Sequence, residues 1–200
     1  MSDPEGGNPP WLAIVVDTVS TEPDDENARA TLGALVAEIA AARPDWRIAI
    51  VQPSWAVDLF DGDRPANVRV GRLGGVPRRG LLRWFYLKST LPRALRRLDV
   101  DLVVALGPAT VDVRPPTVLL ITSADEVLLP TGSGLVDRGR RDRILRSLEN
   151  STLIVAVSQA AAEAVVSLNS QVKAKVRLAG TPADFIQAIE EVVETPEPPG

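Results

Sequence analysis

Two hundred residues with 22 basic and 26 acidic side chains carry a net charge of −4, which makes no case for nucleic acid as a partner. The chain has no cysteine and no histidine. Disulfides, thiolate and Ser-His nucleophiles, His-ligated metals and imidazole acid–base chemistry are therefore excluded.

The length suits one domain able to bury its own core. Residues 1–10 are polar and rich in Gly and Pro, which predicts a disordered lead-in and not a signal peptide. No apolar run approaches the ~18 residues that span a bilayer, so a cytoplasmic location is expected. Trp11-Leu-Ala-Ile-Val-Val-Asp17 predicts the first buried strand. A polar loop follows, and then a helix from about Asn27 to Ala42 with Leu32, Leu35, Val36 and Ile39 on one stripe. Arg43-Pro44 ends it, because the residue before proline avoids the helical region. Arg47–Val51 is the second strand, and Val68–Val70 a third, more exposed one. A second helix is expected over about Leu81–Leu98, broken or kinked at Pro92.

The stretch Asp101-Leu-Val-Val-Ala-Leu-Gly-Pro108 organises the rest. Five apolar residues closed by Gly-Pro predict a strand buried on both faces, as in parallel sheets covered by helices. Ligands of such sheets bind where the strands end. Gly107-Pro108 is thus a candidate site, the alternative being a plain turn. Further strands are expected at Pro116–Thr122, Thr152–Val157 and Ala174–Leu178, and a charged helix over about Val136–Leu148. Ser158 is placed to cap an Ala-rich helix reaching about Leu168. Thr181-Pro182-Ala-Asp184 opens the last helix with a cap, a first-turn proline and a carboxylate at the positive end. The alternation predicts an α/β fold: a single doubly wound, mostly parallel sheet with helices on both faces, over 11–193, with a flexible tail at 194–200.

Nucleotide signatures are missing. There is no P-loop, and the turn after the first strand reads Thr18-Val-Ser-Thr-Glu-Pro-Asp-Asp25 in place of G-x-G-x-x-G. Asp24, Asp25 and Glu26 could hold a cation, but an exposed acidic loop is the plainer alternative, and no metal or cofactor is expected. Ten of the 22 basic residues fall between Arg64 and Arg97, interleaved with Trp84, Phe85 and Tyr86. Such a stretch can rest on an anionic membrane surface or hold phosphorylated acceptors, or can be an ordinary solvated face. A second cluster, Arg138, Arg140, Arg141, Arg143 and Arg146, includes helical pairs with Asp137 and Asp142 and is expected to be mostly surface.

The order of these pieces resembles a known family. Leu91-Pro-Arg-Ala-Leu-Arg-Arg97 with Asp101-Leu-Val-Val104, Pro116-Thr-Val-Leu-Leu-Ile-Thr-Ser123, and Leu153-Ile-Val-Ala-Val-Ser158-Gln-Ala followed by Lys175-Val-Arg-Leu-Ala-Gly180 are similar to the N-terminal, acceptor-side Rossmann-like half of GT-B glycosyltransferases of family four. The resemblance covers residues 11–180. It implies a crevice at the strand ends touching Gly107, Pro108, Ser123 and Ser158. Arg29 would be the retained donor-loop cation, and Arg78 and Arg79 rim contacts for an anionic acceptor. It also implies hexosyl transfer from a nucleotide-sugar.

The departures weigh against activity by the chain alone. The family's Gly-rich donor loop falls on Asp25-Glu26-Asn27-Ala28-Arg29, its His-Asp falls on Thr122-Ser123, and its donor domain has no counterpart here. The expected function is a glycosyltransferase-like single domain, an acceptor-binding half or pseudoenzyme partner. Its partners would be a separate donor domain or a full-length glycosyltransferase, with an anionic acceptor or membrane surface as further possibilities. No catalytic residue is assigned. The alternative is a structural or artificial Rossmann-like domain without ligand. Exposed apolar side chains near Gly107 and Ser158 would favour a partner or ligand; a filled, polar face would favour the bare scaffold.

Overall fold

The computed structural model describes residues 11–15, 26–56, 58–60, 63–75, 89–108, 115–129 and 134–194. In chain order these form β1 (Trp11–Val15), α1 (Glu26–Ala42), β2 (Arg47–Pro53), β3 (Val68–Leu73), α2 (Leu91–Leu98), β4 (Leu102–Leu106) and β5 (Thr117–Ile121). Then follow α3 (Leu135–Asn150), β6 (Leu153–Ala156), α4 (Gln159–Leu168), β7 (Val176–Leu178) and α5 (Pro182–Glu194). Short 3-10 turns span Ala124–Val127 and Ser170–Lys175.

All seven strands run parallel in one open sheet, ordered β3-β2-β1-β4-β5-β6-β7. The order reverses between β1 and β4, where successive crossovers leave to opposite sides. β4 lies at the centre with Leu102, Val103, Val104 and Ala105 all buried, as a strand covered on both faces must be.

Because side chains alternate along a strand, the sheet feeds two cores. On one face Val103, Ala105, Leu119, Ile121, Ile154 and Ala156 pack with Leu91 and Leu95 of α2, Ile144 and Leu148 of α3, and Ala161 and Val165 of α4. On the other, Leu102, Val104, Val118, Leu120 and Val155 pack with Val36 and Ile39 of α1 and Phe185 and Ile189 of α5. The doubly wound α/β architecture expected from the alternation is present. The segment after β2 lies against α1 so closely that a Cβ on Gly33 would come within 2.6 Å of the Leu59 carbonyl oxygen.

Three local expectations change. β3 runs on to Leu73 as an edge strand, with Arg69, Gly71 and Arg72 exposed. The described α-helix begins only at Leu91, with Pro92 in its first turn directly after the π-helical Ser89 and Thr90. Residues 76–88, which include the first part of the expected second helix from Leu81, lie outside the described residues. The chain over 170–175 is a 3-10 turn, so β7 is only three residues long. The lead-in at 1–10, the loop 16–25 and the end of the tail at 195–200 lie outside the described residues as well.

Candidate functional site at the strand ends

Neighbouring strands β4, β5 and β6 bring Gly107, Pro108, Ser123 and Ser158 to one edge of the sheet. β4 ends at Gly107, whose N–H donates to the Leu120 carbonyl at 2.8 Å. Its φ of 74° is left-handed, a conformation that glycine takes without the Cβ penalty. Gly107 and Pro108 are buried.

Ser123 and Ser158 each act as caps. The Ser123 hydroxyl accepts from the Asp125 N–H at 3.1 Å and opens the 3-10 turn. The Ser158 hydroxyl accepts from the Ala161 N–H at 3.2 Å and opens α4, as its place before an Ala-rich stretch predicts. A capping hydroxyl still has its own proton to donate. Arg29 falls in the second turn of α1, but its side chain is not among those described, and Arg78 and Arg79 lie outside the described residues. Asp24 and Asp25 lie outside them too. Among the described residues no three acidic side chains gather in a way that could hold a metal ion.

Two further polar groups mark this edge. Glu126, half-buried, accepts from both the N–H and the hydroxyl of Thr122. Burial pushes its carboxyl above the usual range, and the bonds from Thr122 pull it partly back. The sequence signal was Ser123-Ala-Asp-Glu126, a capping-box pattern. Gln52, one residue from the end of β2, is 1 % exposed, and neither of its amide atoms has a hydrogen-bond partner. Strand alternation puts it on the face of Ile48 and Ile50, towards α1. Its signal was a lone amide ending an apolar strand, Ile48-Ala-Ile-Val-Gln52.

Three large apolar side chains stand open at the strand ends among the described residues: Val157, between β6 and Ser158, is 38 % exposed, Leu128, just past the Glu126 turn, 58 %, and Leu178, which ends β7, 53 %. The edge thus combines hydroxyls, a carboxyl and a glycine turn with apolar surface. That set can hydrogen-bond a polyol or seat another surface, and in it the Thr122 hydroxyl is paired with the Glu126 carboxyl. A separate pocket of about 410 Å³ opens beside the start of β3, with Asp58, Phe60, Asp63, Arg64 and Pro65 in its lining. It holds none of the expected site residues, and Asp58 in it is already paired with Arg72 at 3.2 Å.

No protein-family profile matches the sequence, and neither does any curated protein. Solved structures do match in fold. The lipopolysaccharide outer core galactosyltransferase WaaB aligns at a TM-score of 0.54 and 9% identity, over 84% of this chain and 44% of that one. A UDP-glucose: anthocyanidin 3-O-glucosyltransferase in complex with UDP aligns at 0.55 and 13% identity, over 88% and 53%. The UDP-N-acetylglucosamine 2-epimerase of Rickettsia bellii aligns at 0.53 and 10% identity, over 94% and 50%. The chain spans about half the length of these structures. It has the Rossmann-like fold found in GT-B glycosyltransferases and the related epimerases.

Proposed function

We propose that this chain is a glycosyltransferase-like domain of the acceptor-side, family-four type, working as one half or a partner subunit of a glycosyltransferase and not transferring sugar alone. The observation that carries it is the open apolar surface at the strand ends: Val157 and Leu128 lie beside the hydroxyl caps of Ser158 and Ser123 instead of beneath a polar covering. The correspondence with about half the length of the GT-B structures supports the reading as one half. Inactivity in isolation is supported by Thr122-Ser123 standing where the resemblance puts His-Asp. The Thr122 hydroxyl is committed to Glu126, four residues on, and no imidazole stands at this position.

In this proposal an acceptor or partner lies along Gly107, Pro108, Ser123 and Ser158, with Arg29 the anion contact and Arg78 and Arg79 on the rim. The protein is cytoplasmic and acts as a pseudoenzyme or half-enzyme. The test is a panel of nucleotide-sugars with the purified chain, followed by amide chemical shifts on titrating anionic sugars. Expected are no turnover above background and shifts gathered at residues 107, 108, 123 and 158. Turnover by the chain alone would overturn the non-catalytic assignment. Shifts on the β3 edge, or none at millimolar ligand, would favour a bare scaffold.

A further inference from the structure

Gln52 occupies a place where an apolar side chain would serve the fold better. It is 1 % exposed, and neither its amide nitrogen nor its amide oxygen has a hydrogen-bond partner. Strand alternation sets it with Ile48 and Ile50 in the layer under α1, beside apolar residues such as Val36 and Leu59. A buried amide without partners destabilises a fold, and leucine or methionine would fill similar space without that loss. Packing alone gives no reason for an amide here.

The register of the sheet shows what lies on either side of it. Gln52 is level with Arg72 of β3, and alternation puts both on the α1 face. The Arg72 guanidinium is taken up elsewhere: it donates to the Asp58 carboxylate at 3.2 Å and to the Ser54 carbonyl at 3.4 Å. On the other side, Val51 is level with Val15, and Val15 with Ala105. One residue further on, Gln52 and Leu106 therefore stand at one height and on one face, two strands or about 10 Å apart. Gly107 with its left-handed turn follows directly. Leu106 is only half-buried, so this row meets solvent at β4, whereas the Arg72–Asp58 pair occupies it at β3. Between Gln52 and Leu106 the strand order reverses, and sheets of this kind form their crevice at such a reversal.

We propose that Gln52 is a specificity-determining residue of the strand-end crevice, where it reads a vicinal diol. Its amide oxygen accepts from one hydroxyl and its NH2 donates to the oxygen of the next. Leu106 lies against the C–H face of the ring that bears them. Both amide atoms find partners at once only in a group that offers a donor and an acceptor side by side, and a leucine opposite marks that group as neutral. The inference rests on the reading of the strand ends as a ligand site. In the structure the amide is shut from water, so the ligand meets it by a turn of the side chain towards a strand end one residue away. Binding then gives the amide the partners that the fold withholds. The stability lost to the buried amide returns as selectivity, because a site with unpaired polar groups rejects a ligand that cannot pair them.

The experiment is a titration of the full chain with trans-cyclohexane-1,2-diol, followed by backbone and side-chain amide signals, with the 1,4 isomer as control. Concentrations run to about 100 mM, the weak range of so small a ligand. The 1,2 isomer is expected to shift the Gln52 side-chain NH2, identified by its loss in Gln52→Met, and the Leu106 and Gly107 amides; the 1,4 isomer should not. Gln52→Met should weaken binding of the 1,2 isomer at least about tenfold and raise the melting temperature by about 2–8 °C. A purely structural glutamine would not move affinity and stability in opposite directions. A lower melting temperature would show that the amide is bonded within the fold, and unchanged affinity in a stabilised variant that the ligand does not use it; either overturns the proposal. Equal shifts with the two isomers, or none with either, would also overturn it. Shifts at Ser123 and Ser158 without any at Gln52 and Leu106 would sink this inference and leave the strand-end site standing, whereas shifts at none of these positions would remove both.

Discussion

The two ends of the sheet are built from the same strands and finished differently. At the end where the strands begin, polar groups are bound across elements. The Asn67 amide lies 3.1–3.3 Å from the carbonyls of Ala40, Arg43 and Trp46, tying the approach to β3 to the end of α1 and the start of β2. Asp101, before β4, accepts the Trp11 N–H of β1 at 2.8 Å. Lys175, before β7, donates to the carbonyls of Glu149 and Ser151 and so caps the negative end of α3. Arg43 lies over the Trp46 ring at 4.6 Å while pairing with Asp45 and Glu190.

Where the strands finish, the hydroxyl side chains bond locally, although Gly107 donates to Leu120 and Arg72 pairs with Asp58 across longer separations. Ser123, Ser158 and Thr122 bond within four residues of themselves, Gln52 is left without a partner, and Val157 and Leu128 face out. One end is closed for stability, and the other keeps hydrogen-bonding capacity and apolar area in reserve. This is the contrast expected if the proposed site lies at the strand ends.

The largest effect that would break this contrast is expected at Trp46, which is 1 % exposed. Trp46→Ala should cost about 3–5 kcal/mol in denaturant unfolding. A loss below about 1 kcal/mol would mean that this end is not the anchored one. Asn67→Ala should cost about 1–3 kcal/mol, because carbonyls at the helix end and strand start lose their donor. Gln52→Leu should act in the opposite direction. Replacing an unpartnered buried amide by an apolar side chain of similar volume is expected to stabilise the chain by roughly 1–2 kcal/mol. A loss of stability instead would show that the amide has a partner in solution.

The smallest effect is the pH dependence at Glu126. Its folded-state carboxyl is raised, so it favours folding while protonated, and that advantage is lost as pH climbs from the ordinary carboxylate range through the raised value. Melting temperatures from about pH 4 to 8 should therefore fall more steeply with rising pH for the parent than for Glu126→Gln. Parallel profiles would mean that burial does not govern this carboxyl.

Features set by local chemistry were legible in the residues. Leu102–Leu106 as a central strand, Ser158 and Thr181 as caps, and the α1 stripe of Val36 and Ile39 all follow from side-chain type and spacing. So did the parallel sheet, because strands separated by helices must cross over and return in the same direction. The place of Gly107, Pro108, Ser123 and Ser158 on one edge followed from the same rule, once each was recognised as the residue after a strand.

Other features depended on neighbours far along the chain. β3 reaches Leu73 because β2 supplies six paired residues, from Ile48 to Pro53; the exposed Arg-Val-Gly-Arg pattern has no apolar run to announce it. Gln52 is buried only because α1 and its own strand neighbours enclose it. Glu126 was visible as a capping pattern, yet its raised carboxyl comes from burial that no local spacing encodes. The distribution of charge is the clearest case: α2 carries Arg93, Arg96 and Arg97 and no acid, and α5 carries Asp184, Glu190, Glu191 and Glu194 and no base. The sequence lists arginines and carboxylates along a line, but only the alternation of crossovers sends α2 and α3 to one face and α5 to the other. A chain of residues fixes which elements form, through steric and hydrogen-bonding rules that act over a few positions. Which faces gather charge, and which amide is shut away from water, depends on how the sheet is wound.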